Sequence, residues 1–136
     1  MDHFGRLLKQ ANNNMMRHFD QFAQQYDLTG NQMAIIDFII NHAKHEVFQR
    51  DIEHEFDIQR STTTVLLQRM EKKGLIERHT SWKDARQKAV VLTAKAIKIA
   101  SACQSYLRKE EEEFAQQFSA EEREIFLKII QHYRNL

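Results

Sequence analysis

Apolar residues recur at steps of three and four along much of the chain, which is the spacing of one face of a helix. Residues 3–26 form the first such segment and predict one amphipathic helix, too long to bury both flanks in a chain of 136 residues. Part of its apolar stripe is therefore expected to face a partner chain. Thr29 and Gln32 have the spacing of a capping box, so a second helix is predicted from Gly30 to about His42.

Two short helices are predicted in the middle of the chain, at residues 49–56 and 59–73, with a turn between them at Asp57 and Ile58. This arrangement is a helix-turn-helix. The pair Val47–Phe48 just before it is expected to form a short strand rung. Apolar spacing in the second helix predicts four inward side chains: Thr63, Leu66, Leu67 and Met70.

A β-hairpin is predicted directly after the second of these helices. Gly74 is placed to end that helix, because glycine adopts the left-handed backbone of a helix C-terminus without strain. Short apolar strands at 75–78 and 88–92 then flank a polar tip at 79–87. A helix-turn-helix followed by such a hairpin, which is called the wing, is a winged helix.

Two further amphipathic helices are predicted in the last third of the chain. The first follows Thr93 and covers 94–117, and the second begins with a capping box at Ser119 and Glu122 and ends near Arg134. Long helices on both sides of a small winged helix favour dimerisation. We therefore expect a mainly α fold with a small β-hairpin wing. Its expected parts are a single domain over 1–136, a winged helix-turn-helix at 30–93, and dimerisation helices at 1–28 and 94–136.

The formal net charge of +1 conceals an uneven distribution of charge. Residues 59–98 contain ten Lys or Arg against three acidic residues, whereas the remainder contains ten basic and sixteen acidic residues. A basic segment in an otherwise acidic protein indicates binding to a polyanion.

The outer face of the helix at 59–73 has the side chains that read a DNA duplex. Short hydroxyl groups permit close approach, Arg and Gln can form paired hydrogen bonds with guanine and adenine, and Val can contact a thymine methyl group. A solvated, threonine-rich face is the alternative, but threonine is a mediocre helix former, so three in a row favour contact. The candidate residues are Gln59, Arg60, Ser61, Thr62, Thr64, Val65, Gln68 and Arg69.

The wing adds three candidate DNA-binding residues, Lys83, Asp84 and Arg86. Arg86 can enter a narrow minor groove, where the negative potential is enhanced. Asp84, two residues away, can hold the guanidinium group in one orientation. The alternative is an exposed Asp–Arg pair without a function.

Two motifs in this part of the chain resemble those of the MarR family of transcriptional regulators. The run Ser61–Gly74 is similar to the family's S-T-v-t-x-l-v-x-x-L-e-k-x-G helix. Asp84 and Arg86, followed after five residues by Leu92 and Thr93, match its D-x-R and L-T wing motif. The order and lengths of the predicted helices are similar over nearly the whole chain.

The resemblance implies a homodimer that binds a palindromic DNA operator. The two recognition helices would enter successive major grooves, about 34 Å apart, with the wings in the flanking minor grooves. It also implies a small-molecule effector, often an anionic aromatic compound, bound between the dimerisation and DNA-binding parts. In most such proteins binding represses transcription, and the effector or oxidation releases it.

The sequence does not favour other chemistries. It contains no nucleophile elbow, glycine-rich loop or paired carboxylate motif, so neither an enzyme nor a cofactor is expected. His42 and His45 are three residues apart, but no cysteine pair or HExxH spacing accompanies them, and no metal is expected. The single cysteine, Cys103, lies on an apolar helix face, where it more often acts as a small hydrophobic residue than as a redox switch.

The sequence also bears on location and leaves one other function open. It has no run of 18 apolar residues and no secretion signal, and a lone cysteine suits a reducing compartment, so we expect a cytoplasmic protein without a membrane span. The alternative function is a winged-helix protein-interaction module whose basic face meets an acidic partner, without specific DNA binding.

Overall fold

A computed structural model of the protein describes residues 3–136. Met1 and Asp2, which belong to the predicted dimerisation range 1–28, lie outside the described residues. Within 3–136 the chain forms six helices and two strands, which confirms the mainly α fold with one β-hairpin. The elements are α1 (Phe4–Gln24), α2 (Gly30–Asn41), α3 (Gln49–Phe56), α4 (Arg60–Lys72), β1 (Ile76–Thr80), β2 (Lys88–Leu92), α5 (Ala94–Gln117) and α6 (Ala120–Arg134).

Contacts divide the chain into two compact units, Met1–Ser101 and Ala102–Leu136. Helix α2 forms the centre of the core of the first unit. Because α2 is apolar on nearly all sides, it buries side chains against several neighbouring elements. The buried apolar residues of α2 are Met33, Ile35, Ile36 and Ile39, and other elements add Ala23, Leu28, Ile52, Leu67, Met70, Leu75, Ile76, Val90 and Ile99.

The capping box predicted at the start of α2 is confirmed. The Thr29 N–H donates to Gln32 Oε1 (3.1 Å), and the Gln32 N–H donates to Thr29 Oγ1 (3.2 Å). The Gly30 N–H donates to the Asp20 carboxylate of α1 at 2.6 Å. A Cβ atom at position 30 would lie 2.5 Å from Asp20 Oδ1, so a side chain there would have to displace the Asp20 carboxylate from this contact.

The hairpin pairs β1 and β2 in antiparallel register, from Ile76 opposite Leu92 to Thr80 opposite Lys88. Strand β1 begins one residue later and extends two residues further than predicted. The predicted strand rung at Val47–Phe48 is wrong. Val47 O accepts a single backbone hydrogen bond from the Val90 N–H (2.7 Å), and no ladder continues from it.

Threonine 93 ties the base of the wing together. Its hydroxyl donates to Gly74 O (2.7 Å) and accepts from the Ala96 N–H at the start of α5 (3.2 Å). Its own N–H donates to Leu75 O (3.0 Å). Gly74 has a φ of 73°, the left-handed conformation expected of a glycine that ends a helix. The end of α4 and the start of α5 therefore meet at one residue.

The second unit, Ala102–Leu136, buries few side chains. Cys103 is buried, whereas α6 has no buried residue within the described chain. Phe114 contacts the rings of Phe118 and Phe126, with centroids 5.4 and 5.8 Å away. The apolar face of α6 nevertheless stays open to solvent in the single chain. Its largest exposed members are Ile125, Phe126 and Ile129.

No helix between residues 3 and 136 has the length and the apolar character needed to cross a lipid bilayer.

Candidate functional site

Helices α3 and α4 form the predicted helix-turn-helix, and the turn between them is tight. Asp57 ends α3 with a φ of 50°, a left-handed conformation that Asp tolerates better than most residues. The Ile58 N–H then donates back to Glu53 O (3.1 Å), which closes the end of α3. Helix α4 starts two residues later, so this turn sets the direction in which α4 leaves α3.

The inward face of α4 packs into the core of the first unit. Thr63, Leu67 and Met70 are fully buried, as predicted. The Thr63 hydroxyl donates to Gln59 O (2.9 Å), so its burial leaves no unpaired donor. Leu66, which was also expected to point inward, is half-buried and lies at the edge of the packed face. The packed face therefore covers three of the four predicted residues.

The outer face of α4 presents most of the predicted DNA-binding residues to solvent. Gln59 is the N-cap residue and lies just outside the helix. Thr64 is half-buried, and its hydroxyl donates to Arg60 O (2.9 Å) and accepts from Gln49 Nε2 (2.9 Å). The exposed residues are Gln59, Arg60, Ser61, Thr62, Val65, Gln68 and Arg69.

Gln49 is a positioning residue that the sequence reasoning missed. Its amide nitrogen lies within hydrogen-bond distance of Thr64 Oγ1 (2.9 Å), Glu53 Oε2 (3.0 Å) and Arg60 O (3.4 Å). It thereby joins α3 to the first turns of α4. No helical or strand spacing relates Gln49 to Thr64, fifteen residues away, so the pattern of the sequence contains no indication of this contact.

The first turn of α2 forms a second wall beside the outer face of α4. A concavity of about 450 Å³ is lined by Asn31 of α2 and by Ser61, Thr62, Val65 and Arg69 of α4. Asn31 was not among the predicted site residues. The candidate surface therefore includes the start of α2 as well as α4.

The wing tip, residues 81–87, is wound around the hydroxyl group of Ser81. This side chain is buried, donates to Glu46 Oε1 (2.7 Å), and accepts from the Lys83 N–H (3.1 Å) and the Asp84 N–H (3.2 Å). The Trp82 N–H donates to the other Glu46 oxygen (3.3 Å). Glu46 lies in the connector between α2 and α3. Neither Glu46 nor Ser81 was singled out from the sequence.

Asp84 holds Arg86 in the manner predicted. Asp84 Oδ1 accepts from Arg86 Nε (3.1 Å) and from the Arg86 N–H (3.0 Å), and Oδ2 accepts from Nη2 (3.3 Å). The Arg86 side chain hydrogen bonds, and secondly its backbone N–H, hold the pKa of Asp84 below its ordinary value of 3.8. The Arg86 side chain is 90% exposed, so the guanidinium group is oriented and accessible at once.

Some basic side chains of residues 59–98 join elements of the fold. Lys73 Nζ donates to Asp27 O (2.7 Å), Lys95 Nζ donates to Lys73 O (3.0 Å), and Arg78 pairs with Glu71 (3.0 Å). These cations hold elements together. Of the predicted site cations, Arg86 pairs with Asp84, and all four are also exposed: Arg60, Arg69, Lys83 and Arg86.

A separate cleft of about 480 Å³ lies between the end of α2, the following connector and the hairpin. Its walls are mainly aliphatic and include Ile39, Val90 and Val91, with Lys44 and His45 also on its lining. No residue predicted to contact DNA lines this cleft.

The two side-chain types weighed for other chemistries occupy ordinary positions. His42 Nδ1 lies 2.7 Å from Phe38 O in its own helix. No three His, Cys, Asp or Glu side chains converge on a metal-sized site in the part of the chain that the structure describes. Cys103 is buried on α5 and forms no disulfide.

Comparisons with known proteins agree with these features. Residues 26–87 match the sequence profile of the MarR family. Over 76 residues the chain is 36% identical to the transcriptional regulator HosA of Escherichia coli O157:H7. This alignment spans 56% of either protein, little more than half the length of that curated relative.

Solved structures extend the likeness to the whole chain. The transcription regulator MarR from Oenococcus oeni PSU-1 is 46% identical, with a TM-score of 0.88 over 98% of this chain and 100% of that one. A complex of Staphylococcus aureus MepR with DNA is 26% identical, with a TM-score of 0.90 over 98% and 95% of the two chains. Regulators of the MarR family are non-enzymatic transcription factors, which confirms the expectation that the chain is not an enzyme. The chain belongs to the MarR family of winged-helix transcriptional regulators.

Proposed function

We propose that this protein binds a palindromic DNA operator as a homodimer and represses transcription from it. The exposed face of α4 carries the proposal: it combines Arg60, Gln68 and Arg69 with short hydroxyl side chains, on a helix whose opposite face is buried. A helix of this kind enters a major groove without moving relative to its own domain. MepR, a relative with the same fold, has been solved in complex with DNA, which supports DNA binding by this protein.

The proposed DNA contacts lie in two grooves, and one of the predicted residues acts within the protein instead. Gln68, Arg69 and Val65 lie on the exposed side of α4 and would meet base edges in the major groove. Thr64 would act mainly on the protein side, because its hydroxyl already bonds Gln49 and Arg60. Arg86, oriented by Asp84, would enter the flanking minor groove, with Lys83 beside it.

The dimer is proposed from the open apolar face of α6. Ile125 and Ile129, one turn apart on α6, are each at least half exposed in the single chain, which is costly unless a second copy covers them. In a symmetric dimer two copies of α4 would repeat about one helical turn of DNA apart, and the operator would be palindromic. Because the operator would lie on the chromosome, we expect the protein to function in the cytoplasm.

Release by a small-molecule effector completes the proposal. The cleft of about 480 Å³ behind the hairpin supports it, since its size and mainly aliphatic walls are typical of ligand sites. Lys44 on its lining favours an anionic ligand, while the Glu46 carboxylate on the same lining already accepts hydrogen bonds from Ser81 and Trp82. An effector there would leave the DNA-contacting residues unobstructed and would act through the position of the wing.

A salt titration with selected duplexes tests the proposal. Specific duplexes would be selected from a random pool, and their affinity measured by fluorescence anisotropy between about 50 and 200 mM salt. We expect one preferred, palindromic sequence and a steep loss of affinity with salt. Arg60→Gln, which removes an exposed cation that is not assigned to a base edge, should lower the slope of log affinity against log salt by about one. Arg108→Gln, which removes one charge from an exposed position on α5, should leave the slope unchanged.

The alternative function gives a different result. A winged-helix protein-interaction module would select no preferred duplex, and its weak DNA binding would be equal for all sequences. No selective enrichment after repeated rounds would therefore overturn the proposed function.

A further inference from the structure

The Glu46 carboxylate, which lies outside the wing, is connected by hydrogen bonds to four consecutive residues of the wing tip, either directly or through the Ser81 hydroxyl. Glu46 Oε1 accepts from the Ser81 hydroxyl and Oε2 accepts from the Trp82 N–H, at 2.7 and 3.3 Å. The Ser81 hydroxyl in turn accepts from the N–H groups of Lys83 and Asp84. A hydroxyl group has one donor and two acceptor sites, so Ser81 uses all of them.

The chain of contacts continues to the accessible arginine. The Gln87 N–H donates to Asp84 O (3.0 Å) and the Ser81 N–H donates to Gln87 O (2.9 Å), which closes the loop. The Asp84 carboxylate then orients Arg86. Glu46 lies 40 residues before Arg86 in sequence, yet only Ser81 and the Asp84 backbone separate them in this series of hydrogen bonds.

We propose that Glu46 and Ser81 form a latch that positions Arg86, and that Glu46 is therefore a positioning residue for the minor-groove contact. The bonds from the Ser81 hydroxyl and the Trp82 N–H to the Glu46 carboxylate are charge-assisted, and the one from Ser81 is short at 2.7 Å. The Trp82 indole is 74% exposed and adds little packing, so the wing tip has no apolar anchor of its own. Without Glu46, the loop that carries Asp84 loses its connection to the connector between α2 and α3.

The base of the wing does not depend on this latch. The Val90 N–H donates to Val47 O one residue away from Glu46, and Thr93 bonds Gly74 and Leu75. These contacts use backbone atoms or Thr93, so they persist when the Glu46 side chain is removed. Glu46→Ala should therefore fold normally and loosen only residues 81–87.

Whether Glu46→Ala weakens or strengthens DNA binding distinguishes the latch from a purely electrostatic effect of the lost charge. Removal of an acidic side chain reduces repulsion of phosphate groups, which by itself strengthens DNA binding. The latch predicts the opposite for Glu46→Ala: roughly threefold weaker binding to the preferred duplex. Glu55→Ala is the matched control, because Glu55 is an exposed acidic residue on α3 outside the latch. The affinity of this variant for the preferred duplex should be equal to that of the wild type or slightly higher.

A double-mutant cycle tests whether Glu46 acts through Arg86. In the Arg86→Ala background, Glu46→Ala should have no further weakening effect, because the group that it positions is gone. Equal losses in both backgrounds would overturn the positioning role. Tighter binding by Glu46→Ala in the wild-type background would do the same.

The DNA readout of this inference rests on the proposed function, so a second measurement is independent of DNA. Hydrogen exchange at the Lys83 and Asp84 amides should be fast in Glu46→Ala and in Ser81→Ala, and slow in wild type and Glu55→Ala. Unchanged protection in Glu46→Ala would overturn the latch even if specific DNA binding is found. Lost protection with no preferred duplex would retain the latch and overturn only the proposed function.

Discussion

Helix α4 and the wing tip are held in place by different forces. Helix α4 anchors itself through Thr63, Leu67 and Met70, none of which retains exposed surface. The wing tip buries Ser81, while its one large apolar side chain, Trp82, is 74% exposed. Apolar burial therefore positions α4, and a small set of hydrogen bonds with one ion pair positions the wing tip.

This difference matches what each element is proposed to do. Base reading in a major groove needs side chains in fixed positions, which a helix packed at native density supplies. The width of a minor groove varies with sequence, so a loop that adjusts around a few polar contacts can follow it. A rigid element and an adjustable one are thus joined through Thr93 and Gly74 at the base of the wing.

The largest expected effect is on the buried side of α4. Leu67→Ala should lower the free energy of unfolding by about 2–5 kcal/mol, because it removes a fully buried side chain and leaves a cavity. Trp82→Ala removes a larger side chain from an exposed position and should change the same quantity by about 0.5 kcal/mol or less. Urea titration followed by circular dichroism measures both.

The two variants Leu67→Ala and Trp82→Ala together test whether α4 and the wing tip are positioned by different forces. If Trp82→Ala destabilised the protein as much as Leu67→Ala, the wing tip would have an apolar anchor in solution. The force that positions it would then not differ from that of α4.

The next effect concerns DNA and compares one residue from each element. Gln68→Ala should reduce the preference between the selected duplex and single-base variants of it by about 1–3 kcal/mol at one position. Arg86→Ala should instead weaken binding to the preferred duplex and its variants by a similar factor. Anisotropy titrations on a panel of duplexes measure both effects.

Dimerisation serves as the control for this comparison. Arg86 belongs to the wing tip, outside both long helices at the end of the chain, so Arg86→Ala should sediment like wild type. If Gln68→Ala weakened binding equally on every duplex, Gln68 would contact phosphate, and base reading would have to be assigned to other residues of α4.

Most of the fold could be predicted because the determinants are local. Capping boxes at Thr29 and Ser119 lie within four residues of their partners and are both confirmed. Apolar spacing gave the helix bounds to within two residues. Predictions were less accurate where burial depends on a neighbouring element: Leu66 is at an edge that its spacing does not reveal, and β1 is shifted toward the wing tip.

In the candidate site, too, the contact between residues close in sequence could be predicted and the contacts between distant residues could not. The pairing of Asp84 with Arg86 could be predicted since the residues are two apart and of opposite charge. The contacts of Gln49 with Thr64 and of Glu46 with Ser81 join polar residues 15 and 35 positions apart. Such pairs follow no periodic pattern, and only the packing of α3 and the hairpin on the core brings them together.

The smallest expected effect is on the acid titration of the wing tip. A carboxyl group whose pKa is lowered by folding stabilises the protein above its ordinary pKa, and this contribution is lost as pH falls through the lowered pKa. For Asp84 the loss should begin below its ordinary value of 3.8, so the pairing with Arg86 is fully formed at neutral pH. The carboxyl resonance of Asp84, followed by NMR from neutral to acidic pH, measures this titration.

Arg86→Ala should raise the pKa of Asp84 only part of the way to 3.8, because the backbone N–H of residue 86 still donates to the same carboxylate. Glu122 is an internal control, since its lowered pKa depends on Ser119, and it should titrate identically in both proteins. Equal Asp84 pKa values in wild type and Arg86→Ala would mean that no ion pair forms in solution. In that case neither burial nor charge would hold the Arg86 side chain, and the contacts of Glu46 and Ser81 would position only the backbone of the wing tip.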